Sequence, residues 1–197
     1  MTWNTLANLA AGDVVTEEDM DHIRENIDYL YALPTHESAG YEVLANSTTE
    51  TAMGAFTIAA NDLGAYGMVK GVWVLLTHSD AGGGRTTTYE AYLGATSLFS
   101  GTLALNASSY GLAIITAYIA NGTATNAQIA GGDFNTCVNM VAGTPKTPTS
   151  FLWYNTAAID TTAACLFEAH VTQAFASADY WTKVVFAGMY GPYLASS

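Results

Sequence analysis

From Tyr41 onward the chain breaks into short runs of β-forming residues, each closed by Gly, Asn, Ser or Thr. That rhythm constrains the fold more than any other feature. The runs are TAMGAFTI (51–58), MVKGVWVLLTH (68–78), TTTYEAYLG (86–94), SLFSGTLAL (97–105), YGLAIITAYIA (110–120), FNTCVNMV (134–141), SFLWYN (150–155), ACLFEAHVTQAF (164–175) and YWTKVVFAGMYG (180–191). Eight to nine short strands at this spacing predict a sandwich or barrel, not a helical or α/β fold. The run 68–78 is β-branched, aromatic and apolar on both faces, which predicts a central strand. In 86–94, Tyr89, Ala91 and Leu93 alternate with Thr88, Glu90 and Tyr92, so one face is expected inside. SDAGGGR (79–85) reads as a hairpin loop, and NGTATNAQIAGGD (121–133) as a loop with a short pairing near Gln128.

One segment has a different period. Thr16 is a good N-cap for a helix over VVTEEDMDHIRENIDYLYALP. Glu17, Glu18 and Asp19 follow where the helix dipole favours acids. Val15 and Met20 have the spacing of a hydrophobic staple. Met20, Ile23, Ile27 and Leu30 form one apolar stripe, and Pro34 ends the helix at about Leu33. The stripe needs a partner, whether its own β domain, copies of itself, or another protein. With Met20 at heptad position a, isoleucine at d and a favours three or more strands, though only two heptads are present. The expected fold is therefore mainly β: a jelly-roll-like antiparallel β-sandwich preceded by one N-terminal amphipathic α-helix. Residues 1–34 form the helical segment, 35–48 a linker, and 49–197 the sandwich.

Composition then narrows the partners. Charged residues are 11% of the 197 residues, against roughly 25% for an average soluble domain, which favours surface hidden in an oligomer. The net charge of −12 is uneven. Residues 1–42 hold nine acids and one base, Arg24, whereas the other 155 hold eight acids and four bases. No Lys or Arg lies between Arg85 and Lys146. Nucleic-acid binding is excluded for want of a basic patch, and an anionic membrane surface is disfavoured for the same reason. The N-terminus lacks the basic n-region and apolar run of a secretory signal. No stretch reaches the ~18 apolar residues of a membrane span. Cys137 and Cys165 are expected to be small buried thiols.

Reaction chemistry is sparse. His22, His36, His78 and His170 have no metal-ligand spacing. Neither a G-x-S-x-G elbow nor a P-loop is present. Glu50, Asp62, Asp80, Glu90, Asp133, Asp160, Glu168 and Asp179 fall mostly in expected loops, and no spacing pairs two of them for glycoside hydrolysis. The chain is expected to be non-enzymatic, with no cofactor and no metal. Trp153-Tyr154 and Tyr180-Trp181 could stack on sugars. Adjacent aromatics on strands also read as one ring in the core and one at a subunit interface.

Two regions carry a family resemblance. Trp3 followed by AAGDVVTEEDMDHIRENIDYL resembles the N-terminal segment of many tailed-bacteriophage virion proteins, whose helix ends Ile-Arg-x-Asn-Ile-x-x-Leu. Here that end is Ile23-Arg24-Glu25-Asn26-Ile27-Asp28-Tyr29-Leu30. TETAMGAFTIAANDLGAYGMVKGVWVLLTH, SDAGGGRTTTYEAYLGATSL, ANGTATNAQ and AIDTTAACLFEAHVTQ resemble the β-sandwich domains of phage tail-fibre and head-decoration proteins. The resemblance implies a homotrimer in the virion, non-enzymatic, with its β domain projecting outward. Trp3, Val15, Met20, Ile23, Ile27 and Leu30 would anchor it to other virion proteins of the tail or capsid. A tail-fibre role would add a host-surface glycan as external partner, with Trp153, Tyr154, Tyr180 and Trp181 the candidate contacts, although core and interface packing is the favoured reading of those pairs. A stand-alone carbohydrate-binding module is the remaining alternative.

Overall fold

The computed structural model describes residues 36–37, 42–80, 82, 84–140 and 146–193. The expected helix, with Trp3, Val15, Met20, Ile23, Ile27 and Leu30, lies outside the described residues.

Eleven strands run in chain order among the described residues: β1 (His36–Glu37), β2 (Val43–Ala45), β3 (Thr51–Ile58), β4 (Met68–His78), β5 (Arg85–Leu93), β6 (Thr96–Leu105), β7 (Tyr110–Asn121), β8 (Gln128–Met140), β9 (Thr149–Ala157), β10 (Cys165–Gln173) and β11 (Trp181–Tyr193). They form two antiparallel sheets. The larger has the order β1-β11-β4-β7-β8-β9, with β2 also on β11, and the smaller is β3-β10-β5-β6. The architecture is a β-sandwich. β4 is internal, as its two-sided apolar sequence requires, with β11 on one side and β7 on the other. β2 falls in the stretch read as a linker. Its three residues pair with Trp181, Thr182 and Lys183, so it is a strand made by its partner rather than by its own pattern.

The core lies between the inner faces. Trp73 of β4 is fully buried, edge-on to Phe167 of β10 at 5.0 Å between centroids, with Phe56 of β3 at 6.0 Å. Its indole N–H donates to the Gly54 carbonyl at 2.6 Å. Gly54 has φ +76°, and a Cβ there would lie 2.8 Å from Ala187 and 2.9 Å from Trp73. Glycine is therefore needed both for the dihedral and for the approach. In β5, Tyr89, Ala91 and Leu93 are fully buried, the face expected from the alternation.

At one end, polar side chains tie loops together. The Asn121 amide donates to the carbonyls of Leu63 (2.6 Å) and Gly64 (3.0 Å), and the Gln128 amide donates to Asn121 Oδ1 (2.9 Å) and the Ile159 carbonyl (2.9 Å). These buried groups are satisfied by one another, which is the condition for burying them without penalty.

Candidate functional site

The aromatic pairs singled out from the sequence separate on folding, because neighbours on a strand point to opposite faces. Trp153 points inward and stacks on Phe99 of β6 at 5.4 Å and 28°. Its indole N–H meets no acceptor among the described residues. Tyr154 points outward and is 71% exposed. Tyr180 is fully buried, its hydroxyl donating to the Thr86 carbonyl at 2.7 Å and lying 2.6 Å from Thr87 Oγ1. Burial pushes its phenol pKa up. As a glycan contact Tyr180 is therefore corrected: its ring belongs to the interior. Trp181 stacks on His78 at 5.5 Å and 27°, and Tyr110 lies beyond His78 at 4.6 Å. The Lys183 ammonium sits 4.4 Å from the Trp181 ring centroid, so that ring is already engaged. β9 and β11 lie near opposite edges with β4, β7 and β8 between them. Four strand spacings of ~4.8 Å put the two pairs about 19 Å apart, so they form no single platform.

What the large sheet does present outward is an apolar face. Val72, Val74 and Leu76 of β4 stand beside Leu112 and Ile114 of β7, all half-buried. Tyr118, Val185, Ile129, Leu152 and Tyr154 are open to solvent. The charges on this face are few and engaged. Lys70 lies over Tyr118 (5.3 Å) and Tyr190 (5.5 Å), and Asp133 is hydrogen-bonded by Asn135. The face is most open at β9, where Leu152 is 88% and Tyr154 71% exposed.

The small sheet carries a polar cluster that the sequence did not reveal. His170 of β10 pairs across the strand with Glu90 of β5, and Glu168 pairs with Tyr92. The His170 ring lies between two carboxylates, Nδ1 at 2.6 Å from Glu50 and Nε2 at 3.1 Å from Glu168. The Nε2 approach to Glu168 has the distance of an ion pair but not the angle of a hydrogen bond. Tyr92 stacks on His170 at 4.2 Å and 28°. Burial, then the neighbouring Glu50 and Glu90, push the Tyr92 phenol pKa up, so it stays a neutral hydroxyl. Glu90 and Glu168, read as scattered, are brought to one sheet face by β5–β10 pairing. The cluster offers hydroxyl, carboxylate and ring surfaces. Two of its carboxylates are already engaged with His170.

The loop 79–85, expected as a hairpin, instead carries the chain from β4 in the large sheet to β5 in the small one, because the two strands take different partners, and it is closed on itself. Arg85 donates to Asp80 from Nε (2.8 Å) and a terminal nitrogen (3.0 Å), and the Gly82 N–H donates to the same carboxylate at 3.0 Å. The hydrogen bond from Arg85 is the main cause holding the Asp80 carboxyl well below its ordinary range. Cys137 and Cys165 are free, half-buried thiols, one in each sheet. Burial pushes the Cys165 thiol pKa up. Among the described residues no group of three or more His, Cys, Asp or Glu is placed to hold a metal, and no helix is long and apolar enough to cross a membrane.

No protein-family model and no curated protein matches the chain. Solved structures resemble it at low similarity. The CBM2 module of Lactobacillus casei BL23 phage J-1 evolved Dit shares 8% identity at a TM-score of 0.35, over 74% of this chain and 73% of that one. A legume lectin-like domain from Entamoeba histolytica shares 9% at 0.28, over 76% and 89%. The alginate lyase from Klebsiella pneumoniae shares 7% at 0.19, over 64% and 59%. Likenesses this weak carry no argument, and the chain's own surfaces must carry the function.

Proposed function

We propose that this chain is a non-enzymatic virion structural protein of a tailed bacteriophage, a homotrimeric tail-fibre or receptor-binding component attached through its N-terminal segment, with a host-surface glycan as its external ligand. The observation that carries the reading is the outer face of the large sheet. There, large apolar side chains stand open across neighbouring strands with few charges among them. Soluble monomers rarely leave such a surface uncovered, whereas components of an assembly do. The pairing of early strands with late ones, β3 with β10 and β4 with β11, supports the jelly-roll-like description. The polar cluster around His170 supports the glycan ligand. Its hydroxyl and carboxylates suit sugar hydroxyls, and a ring face suits the apolar side of a sugar.

The testing experiment has two arms on assembled particles. Gold-labelled antibody against this chain should mark the tail. Label on the capsid shell would instead make it a head-decoration or head-fibre protein, and unlabelled particles would remove it from the virion. Tyr92→Ala should then weaken binding of the purified chain to host envelope polysaccharide at least tenfold with the melting temperature unchanged. Undiminished binding would remove the cluster from the glycan contact.

A further inference from the structure

We infer that the open edge of β9, with Ile129 of β8 beside it, is where a second copy of this chain seats. The inference rests on the oligomeric part of the proposed function and assigns it a surface.

Edge strands expose unpaired backbone N–H and C=O groups, and soluble proteins guard them with Lys, Pro, bulges or shortness. β9 has none of these guards. It runs nine residues, TSFLWYNTA, with no charge and no proline. Its ladder to β8 runs from Gln128↔Ala157 to Thr136↔Thr149 with no register shift. No strand lies beyond it among the described residues. The other long edges differ: β3 and β6 both sit against ladders broken by a register shift.

The side chains make the same point. On the outward face Leu152 is 88%, Tyr154 71% and Ile129 of β8 53% exposed; on the inward face Phe151 is 55% exposed. The two rings alone leave on the order of 250 Å² open. Leu152 and Ile129 add a comparable area. With the strand's backbone and polar flanks, this approaches the roughly 800 Å² per partner of a standard interface.

Charge selects the occupant. Two copies of a chain of net charge −12 repel everywhere except where their charges are absent. β8 and β9 together hold one charged residue, Asp133, which is engaged by Asn135. A basic partner would find no acidic cluster here to grip, whereas a second copy offers an equally uncharged apolar surface in the outer face of its large sheet, and such a head-to-tail contact closes into a ring of three.

The test uses the full chain. Mass per complex is measured by light scattering for the wild type and for Leu152→Lys/Tyr154→Lys, with circular dichroism as the check on fold. Hydrogen exchange of the segment 149–157 in the wild type is followed on dilution. The expected result is a wild-type trimer, a folded variant with the mass of one chain, and protection, lost on dilution, of those 149–157 N–H groups that point away from β8. A variant that remains trimeric, or unchanged exchange while the wild type dissociates, overturns the assignment of this edge and leaves the trimer standing. A variant of unaltered mass that fails to join particles assigns the edge to another virion protein and likewise overturns it. A wild type that is a single chain at every concentration sinks the oligomeric reading itself.

Discussion

A Cβ on Gly132 would lie 1.9 Å from the Thr116 carbonyl oxygen and 3.0 Å from the Trp153 ring. The glycine is therefore a packing requirement inside a strand, where the neighbouring backbone comes close. From sequence, the Gly131-Gly132-Asp133 run reads as part of a loop, because paired glycines usually mark turns. The structure continues β8 straight through it. The same letters serve both purposes, and only the neighbour's position distinguishes them. Gly132→Ala should push β7 and β8 apart and cost at least the 1–3 kcal/mol typical of overpacking, about 2 kcal/mol at the centre of that range. Urea unfolding at fixed slope measures it. A midpoint within error of wild type would mean the sheet gives way more easily than its hydrogen-bond ladder suggests.

At the scale of elements, the legible parts were those whose signal is local. Alternation in β5 placed Tyr89, Ala91 and Leu93 inside, and the two-sided apolar run placed β4 between neighbours. The segment of β9 was legible as a strand, but its openness was not. That depends on where the small sheet ends, and β6 comes from 44 or more residues earlier in the chain. The cluster around His170 was illegible for a similar reason, since β5 and Glu50, the residue just before β3, supply its partners. The β4–β5 connection joins both levels: a turn is legible in SDAGGGR, but not that it crosses from one sheet to the other, nor the clasp that closes it. Asp80 there has a depressed carboxyl pKa, caused first by Arg85. A depressed folded value means the clasp contributes fully above the ordinary carboxylate pKa of about 3.9 and fades only as pH falls through the lower folded value. Asp80→Asn should therefore lower the melting temperature by an amount that stays constant from pH 7 to about pH 4.5 and shrinks below it. Melting curves of both proteins across that range check this; a difference already gone at pH 5 would mean that Arg85 does not hold the carboxyl.

For the whole molecule, charge and contact pull in opposite directions. Residues 1–42 carry a net charge of −8, nine acids less Arg24, and residues 43–197 carry −4, eight acids less four bases. Assembly brings these like charges together, while the surface assigned to the contact is almost uncharged. Electrostatics should then oppose the complex rather than hold it. The Debye length falls from about 30 Å at 0.01 M salt to about 10 Å at 0.1 M, so added salt screens the repulsion between copies but leaves apolar burial in place. Raising NaCl from about 0.01 to 0.1 M should shift the association equilibrium toward the complex, by severalfold in the dissociation constant, as read by sedimentation over a concentration series. Complexes held by ion pairs across the interface would loosen over the same interval. The sign of the salt effect thus separates an apolar edge contact from a contact built on the acidic N-terminal segment, which holds two-thirds of the net charge, without any substitution in the chain.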